Sequence, residues 1–342
     1  MTVAAAARPR PLSERALPAA VALLAIPPTL MVLRGAASAP VTFARNLVEG
    51  VSLGGVYALV ALGYTMVYGV LGLINFAHSD VFMVGAYAGI FAAAWFGVTA
   101  TSSGHSSVGI ALACFAFAMA VSAALGMTVE RFAYRPVRHA PKLTPLVTAI
   151  GVSMLIQNVA MLAFTSTPRG FPPVVRSTTV SLGPVAVTNV KLLNLGAAVA
   201  LMVALTFLVQ KTRVGRAMRA ISTNIEAARL MGVPTDRIIA ITFGLGSALA
   251  GAGGILFGLD QPKIDPLSGV QPGLKAFVAA VLGGIGNIPG AMLGGLLIGV
   301  VEQLASAYLS SSFAPAIVFS ILVAVLLVRP QGLLGRVTRE KV

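Results

Sequence analysis

The 342-residue sequence is poor in the residues that most enzymes use. It has one cysteine, Cys114, so an internal disulfide is excluded. Its three histidines, His78, His105 and His139, are scattered, and its 10 acidic residues form no catalytic pair at a recognisable spacing. A nucleophile triad and the phosphate-binding pattern G-x-x-x-x-G-K-[ST] are also missing. We therefore expect a chain that carries out no chemistry, binds no metal or other cofactor and does not bind ATP by itself.

Charge is scarce as well. Charged residues make up 10% of the chain and hydrophobic residues 57%, and the mean hydropathy is +0.91. This leaves too little polar surface for a water-soluble globule of this size. Apolar runs near or above the roughly 20 residues that cross a bilayer as helix recur along the chain, whereas strand-like alternation is absent. The sequence predicts an all-α, polytopic integral membrane protein.

The apolar runs predict about ten transmembrane helices, with eight or nine as alternatives. After seven spans the chain is outside, whereas the basic residues from Arg329 onward are expected inside, so an odd number of crossings must fit between residues 260 and 328. A re-entrant half-helix from Leu274 to Gly284 would leave only two crossings there. The start also resembles a signal peptide with a cleavage site at Ala37 to Ala39, but we favour a retained span because Pro40 would hinder cleavage. The predicted spans are 16–34, 47–70, 80–97, 108–128, 144–165, 192–210, 238–259, 267–285, 288–308 and 312–328.

The net charge of +14 indicates topology and not nucleic-acid binding, because the basic residues are concentrated in particular loops. Under the positive-inside rule these loops are cytoplasmic. We accordingly predict a cytoplasmic N-terminal segment at 1–15, one transmembrane domain over 16–328, a cytoplasmic loop at 211–237 and a cytoplasmic tail at 329–342. The clusters are Arg8, Arg10 and Arg15; Arg131, Arg135, Arg138 and Lys142; Lys211, Arg213, Arg216, Arg219, Arg229 and Arg237; and Arg329, Arg336, Arg339 and Lys341.

Two glycine-containing interruptions, 71–80 and 282–290, join closely spaced apolar helices. Paired interruptions of this kind are typical of transporters built from two weakly similar halves with broken helices. Small residues such as Gly251 and Gly254 also favour close helix packing. Polar residues inside spans commonly face a pathway or the bundle interior. The candidates for a pathway or gate are Asn75, His78, Asp80, Gln157, Asn158 and Glu302. Intramembrane carboxylates are otherwise few, which argues against ion-gradient coupling.

A polar and basic island at 215–234 carries the strongest functional signal. Thr223 and Glu226 have the spacing of a capping box, Gly232 is suited to a left-handed C-terminal cap, and Pro234 prevents continuation. The pattern predicts a short helix at about 224–231, outside the membrane and surrounded by arginine. Such a helix indicates a soluble partner.

Within this island, residues 226–232 (EAARLMG) resemble the E-A-A-x-x-x-G element of bacterial ABC importer permeases. Four further segments, 50–68, 74–87, 135–158 and 273–303, resemble the branched-chain amino-acid permeases of the LivH type. The resemblance covers most of the chain from residue 46 onward. It departs from the importer pattern at 242–245, where TFGL stands in place of I-x-L-P, so the resemblance predicts the placement of the helix but not the details of its docking.

The resemblance implies a multi-pass permease of the bacterial plasma (inner) membrane, with both termini cytoplasmic. Its expected partners are a second homologous permease, two cytoplasmic ATPases that use ATP and Mg²⁺, an extracytoplasmic binding protein and membrane lipid. Residues 224–231 would be the coupling helix, in which Glu226, Ala227, Ala228 and Gly232 match the family element. Arg216, Arg219 and Arg229 are placed to meet an acidic ATPase surface.

The resemblance implies inward transport of branched-chain or related amino acids. Two alternatives remain open from the sequence. The first is a permease of the same superfamily that carries urea, short amides or sugars. The second is an autonomous secondary transporter or channel with a regulatory loop.

Overall fold

A computed structural model describes residues 29–100, 108–138, 140–141, 143–261, 263–329 and 331–335. Residues 29–38 are helical. The predicted N-terminal segment, the first part of the span at 16–34 and the tail from residue 336 lie outside the described residues.

The described chain is a bundle of helices, as the sequence predicts. α3 continues through a π-helical turn, Glu130–Tyr134, and a short helical turn, Arg135–Val137. The helices are α1 (Pro40–Leu71), α2 (His78–Trp95), α3 (Val108–Val129), α4 (Leu143–Phe164), α5 (Asn189–Lys211), α6 (Arg213–Thr223), α7 (Ile225–Leu230), α8 (Thr235–Asp260), α9 (Val270–Gly283), α10 (Ile288–Tyr308) and α11 (Ala314–Val328).

Six helical segments within the described chain are long and apolar enough to cross a membrane, which confirms a polytopic membrane protein. α9 and α11 are shorter apolar helices. The six segments are Pro40–Leu71, Val108–Val137, Leu143–Phe164, Asn189–Lys211, Thr235–Asp260 and Ile288–Tyr308.

Within the described residues, four short strands were not foreseen from the sequence. Arg169–Gly170 (β1) pairs with Lys263–Ile264 (β4), and Thr179–Leu182 (β2) pairs with Val185–Thr188 (β3), both antiparallel. They were missed because strands of two to four residues are too short to show alternation.

α1 is the centre of the bundle, and its residues 54–67 are almost all buried. It meets its neighbours through glycine. Gly54 lies against the backbone of Leu296 and against Gly299 on α10, and Gly63 lies against Gly246 on α8. Such backbone-to-backbone contact is typical of small residues at membrane helix interfaces.

The predicted close packing of Gly251 and Gly254 is confirmed on α8. Gly251 contacts Gly85 and Ser122, and Gly254 lies on the backbone of Phe82. A side chain at either position would collide with a neighbouring helix. The absence of side chains at these two glycines therefore allows α2, α3 and α8 to pack closely.

The bundle has two distinguishable ends. We call the end that carries α6 and α7 the basic end; Gly69 and Gly286 share a cleft there with Met218 and Arg219. We call the other the far end, where α4 and α8 finish and where β1 pairs with β4.

α9 is short, and the chain around it crosses the bundle. Its 14 residues span about 21 Å, less than the roughly 30 Å hydrocarbon thickness. The segment begins at the far end, at β4, and finishes at the basic end near Gly286. There the backbone N–H groups of Leu333 and Leu334 donate to the carbonyls of Leu282 and Gly283, at 2.8 and 3.1 Å. Turns at 266–269 and 285–286 flank α9 and complete the crossing.

Candidate functional site: the basic end and the interior it contacts

The island at 215–234 folds as two short helices, α6 and α7, and the predicted helix at 224–231 corresponds to α7. Asn224 is the N-cap of α7, and its side-chain oxygen accepts from the backbone N–H of Ala227 at 3.0 Å. The predicted capping box is therefore wrong in its first member. Thr223 is the last residue of α6, and its hydroxyl donates to the carbonyl of Arg219 at 3.0 Å, the bond to the preceding turn that threonine commonly makes inside a helix.

The predicted left-handed cap at Gly232 is confirmed, with φ at +79°. The backbone N–H of Gly232 donates to the carbonyl of Arg229, and that of Val233 donates to the carbonyl of Ala228, both at 3.0 Å. These bonds satisfy the end of α7. α8 begins just afterwards, at Thr235, so α7 and α8 are joined by four residues.

α7 presents an apolar tip to solvent. Leu230 is 88% exposed and Met231 is 84% exposed, while Ala228 is buried against the bundle. Glu226 and Arg229 are exposed beside the tip, and their charged groups are 3.9 Å apart. We call this surface the docking surface; it consists of Glu226, Ala227, Arg229, Leu230 and Met231. Its two large apolar residues, Leu230 and Met231, stand inside the E-A-A-x-x-x-G motif but were not among the predicted site residues.

The two other predicted arginines differ in what they contact. The Arg219 guanidinium donates to the carbonyl of Val209 and so binds the end of α5 within the same chain. Arg216 is exposed on α6. Of these two residues, only Arg216 has a charged group that no contact within the described residues occupies.

A charge network that the sequence analysis missed ties α8 to the π-helical turn. Arg138, 6% exposed, donates to Glu130 at 2.5 Å and to Asp236 at 2.8 Å. Glu130 is 3% exposed, and Arg135 also donates to Asp236. Asp236 is the second residue of α8, directly after α7. The network therefore lies next to the connection between α7 and α8.

The π-helical turn reaches the interruption between α1 and α2 through Tyr134. Its hydroxyl donates to the side-chain oxygen of Asn75 at 3.0 Å, and its ring lies 5.2 Å from that of Phe243 on α8. The same Asn75 oxygen accepts from the backbone N–H of Ala77 and so shapes the start of α2. π-helical turns of this kind are frequent at functional sites.

Three predicted pathway residues lie together at that interruption. Asn75, His78 and Asp80 are all buried. Gln157 joins them from α4, where its amide donates to Asp80 at 2.9 Å. The His78 ring packs edge-on against Tyr64, with 4.8 Å between the ring centroids. The interruption therefore connects α1, α2 and α4.

The two remaining pathway residues lie elsewhere. Asn158 is exposed, and its amide donates to the carbonyl of Met154 in its own helix at 2.7 Å. Glu302 accepts from Lys275 at 2.6 Å and from the hydroxyl of Tyr57 at 3.0 Å. The cation of this pair, Lys275 on α9, was not singled out from the sequence, and its charge is balanced by Glu302.

Comparison with known proteins decides the family. The family described as "Branched-chain amino acid transport system / permease component" matches residues 46–329. The chain belongs to this family. It is thus a permease subunit, a non-enzymatic component of an ABC transport system, as the sequence resemblance implies.

Curated relatives agree with this assignment. The permease is 42% identical over 305 residues to the high-affinity branched-chain amino acid transport system permease protein LivH of Escherichia coli, covering 88% of this chain and 98% of LivH. It is 41% identical over 304 residues to BraD of Pseudomonas aeruginosa, with the same coverage. An autoinducer 2 import system permease protein, LsrC of Yersinia enterocolitica, is 34% identical over 110 residues, which are 30% of this chain and 31% of LsrC.

Proposed function

We propose that this permease forms the translocation pathway of an importer for branched-chain amino acids, driven by ATP hydrolysis in partner subunits. The observation that carries the proposal is the docking surface, an exposed helix with two large apolar residues at its tip in a chain that has no ATP-binding loop of its own. The high-affinity branched-chain systems named for LivH and BraD support the cargo. The limited similarity to LsrC makes a different small solute the alternative cargo.

The proposed complex contains a second homologous permease, two cytoplasmic ATPases and an extracytoplasmic binding protein in the bacterial inner membrane. The docking surface, together with Gly232 and Arg216, would contact an ATPase. A movement of the bound ATPase would be transmitted from α7 through Asp236 and Arg138 to the π-helical turn. From there Tyr134 would move Asn75 and so open or close a gate formed with His78, Asp80 and Gln157.

Affinity purification of the tagged permease, with its neighbouring genes co-expressed, tests the proposal. We expect ATPase subunits and a second permease to co-purify, and the complex in proteoliposomes to take up leucine, isoleucine or valine only with ATP and the binding protein. Screening the binding protein against urea, sugars and autoinducer 2 would expose a different cargo. Recovery of the permease alone, with uptake that survives ATP depletion and collapses with the ion gradient, would overturn the proposal.

We further propose ten spans with both termini in the cytoplasm. The two ends of segment 263–286 lie at opposite ends of the bundle, which supports an odd number of crossings after α8. Residues 331–335 lie at the basic end, against Gly284, where the positive-inside rule predicts cytoplasm.

A reporter pair fused after Val342 measures this topology. We expect a cytoplasmic reporter such as green fluorescent protein to be active there and alkaline phosphatase to be inactive. The same pair fused within β2–β3, between Leu182 and Val185, should give the reverse result. Phosphatase activity after Val342 would contradict the ten-span arrangement.

A further inference from the structure

A polar cavity of about 530 Å³ opens near the far end, remote from the docking surface. This volume lies within the roughly 300–1,000 Å³ typical of small-molecule sites. Its walls come from α1, α5, α9 and α10 and from the end of α8. Such a cavity can receive a solute from the side of the bundle opposite to the ATPase docking surface.

Opposite charges line the cavity in pairs. Lys275 and Glu302 are joined at 2.6 Å, and Lys191 and Asp260 also at 2.6 Å. The side chains of the first pair are 9% and 15% exposed, and those of the second 20% and 19%. Lys263 adds a third cation, so the lining carries three cations and two carboxylates. Charges held this far from water are costly, and residues that carry them are commonly functional.

The cavity also has an apolar wall. Leu53, Phe257 and Pro272 contribute hydrophobic surface beside the ion pairs. A ligand that fits both walls has a cationic group, an anionic group and an aliphatic side chain. An uncharged sugar or amide would use only part of this lining.

α9 stands between this cavity and the interruption at 71–80. Lys275 faces the cavity, whereas Phe277, two residues further on, packs against Phe76 and Tyr64, with ring centroids 6.0 and 5.8 Å apart. Gly273 lies directly against Ser79 at the start of α2. Lys275 and Phe277 lie on the same short helix. A movement of α9 at Lys275 would therefore reach the interruption that contains Asn75 and His78.

We propose that this cavity is a binding site for a zwitterionic aliphatic amino acid within the permease. The ligand carboxylate would bind Lys275 and Lys263, its ammonium would bind Glu302, and its side chain would lie on Leu53 and Phe257. Binding would partly replace the Lys275–Glu302 pair and so release α9. The site rests on the proposed function, since it specifies where this permease holds its cargo.

Reversing the Lys275–Glu302 ion pair distinguishes a role in ligand binding from a purely structural role. The double variant K275E/E302K keeps a salt bridge but exchanges its polarity, so a purely structural pair tolerates it and a ligand site does not. We expect leucine uptake by the reconstituted complex to fall roughly tenfold or more, while ATPase subunits still co-purify and the binding protein still stimulates ATP hydrolysis. Unchanged uptake would overturn the site without affecting the proposed function.

A neutral pair keeps the test decisive if the reversed pair misassembles. K275Q/E302Q leaves no unpaired buried charge and retains hydrogen-bonding groups, and it should show the same loss of uptake with ATPase stimulation intact. A direct measurement uses tritiated leucine and the purified complex without binding protein. Unlabelled leucine should displace the label far better than leucine amide, which lacks the carboxylate, or 4-methylpentanoate, which lacks the ammonium. Equal displacement by all three, or absence of leucine binding, would refute a zwitterion site.

Discussion

Replacing Arg138 by methionine is expected to destabilise the permease by about 3–5 kcal/mol, because it leaves the carboxylate of Glu130 buried without its cation. The side chains of Arg138 and Glu130 are 6% and 3% exposed, so water cannot take over the lost contact. The melting temperature of the detergent-solubilised complex, followed by loss of its monodisperse chromatographic peak, measures the effect. ATP-driven uptake should be lost with it.

Two controls belong to the same charge network. Arg135→Met removes a cation that is 50% exposed and whose partner Asp236 is 43% exposed, so we expect a loss of about 0–1 kcal/mol. The double variant E130Q/R138M removes the buried charge altogether and should recover most of the stability of the wild type. Equal melting temperatures for R138M and R135M would contradict the assigned burial.

Replacing Gly232 by valine is expected to reduce ATP-driven uptake about tenfold or more without preventing membrane insertion. A β-branched residue in the left-handed region costs roughly 1–2 kcal/mol, and Gly232 holds φ at +79° next to the docking surface. The strain would shift α7, and with it Leu230 and Met231, away from the geometry an ATPase contacts. Uptake into proteoliposomes and ATPase recovery during purification are the measurements.

Gly97 supplies a matched control. It also has a positive φ, +75°, and, as at Gly232, no atom of the described residues lies within 4 Å of an added Cβ. Gly97→Val therefore introduces similar backbone strain at the far end of the bundle, after α2. Normal uptake by G97V and loss by G232V would assign the effect to the docking surface; equal uptake by both variants would remove that assignment.

The sequence predicted the elements whose signals are local. α7 was predicted because Gly232 and Pro234 mark a helix end whatever surrounds them, and α10 was predicted at 288–308, its observed bounds. The N-cap was assigned one residue too early, since Thr223 and Asn224 are both good capping residues and only the backbone decides between them. Asn224 has the extended φ and ψ of −160° and 110° that an N-cap requires.

Contacts between distant parts of the chain could not be predicted in the same way. The carboxylate of Asp236 meets Arg138, 98 positions earlier, and the hydroxyl of Tyr134 meets Asn75. Each partner looks like an ordinary loop or helix-end residue when taken alone. Lys275 did give a signal, a single cation in an apolar run, but its partner Glu302 is identified only by the packing of α9 on α10.

The glycine contacts of α1 set limits on how the permease changes shape. Gly54 touches the backbone of α10 and Gly63 that of α8, so the helix backbones themselves are in contact at these two points. Sliding one helix along another by one residue would bring Cβ atoms into collision with the facing backbone. We therefore expect α1, α8 and α10 to move as one rigid unit. α4 contrasts with them, because only Pro145, Ala149 and Ala160 are buried among its 22 residues. In the alternating access expected of such a permease, α4 would therefore move more freely than α1, α8 and α10.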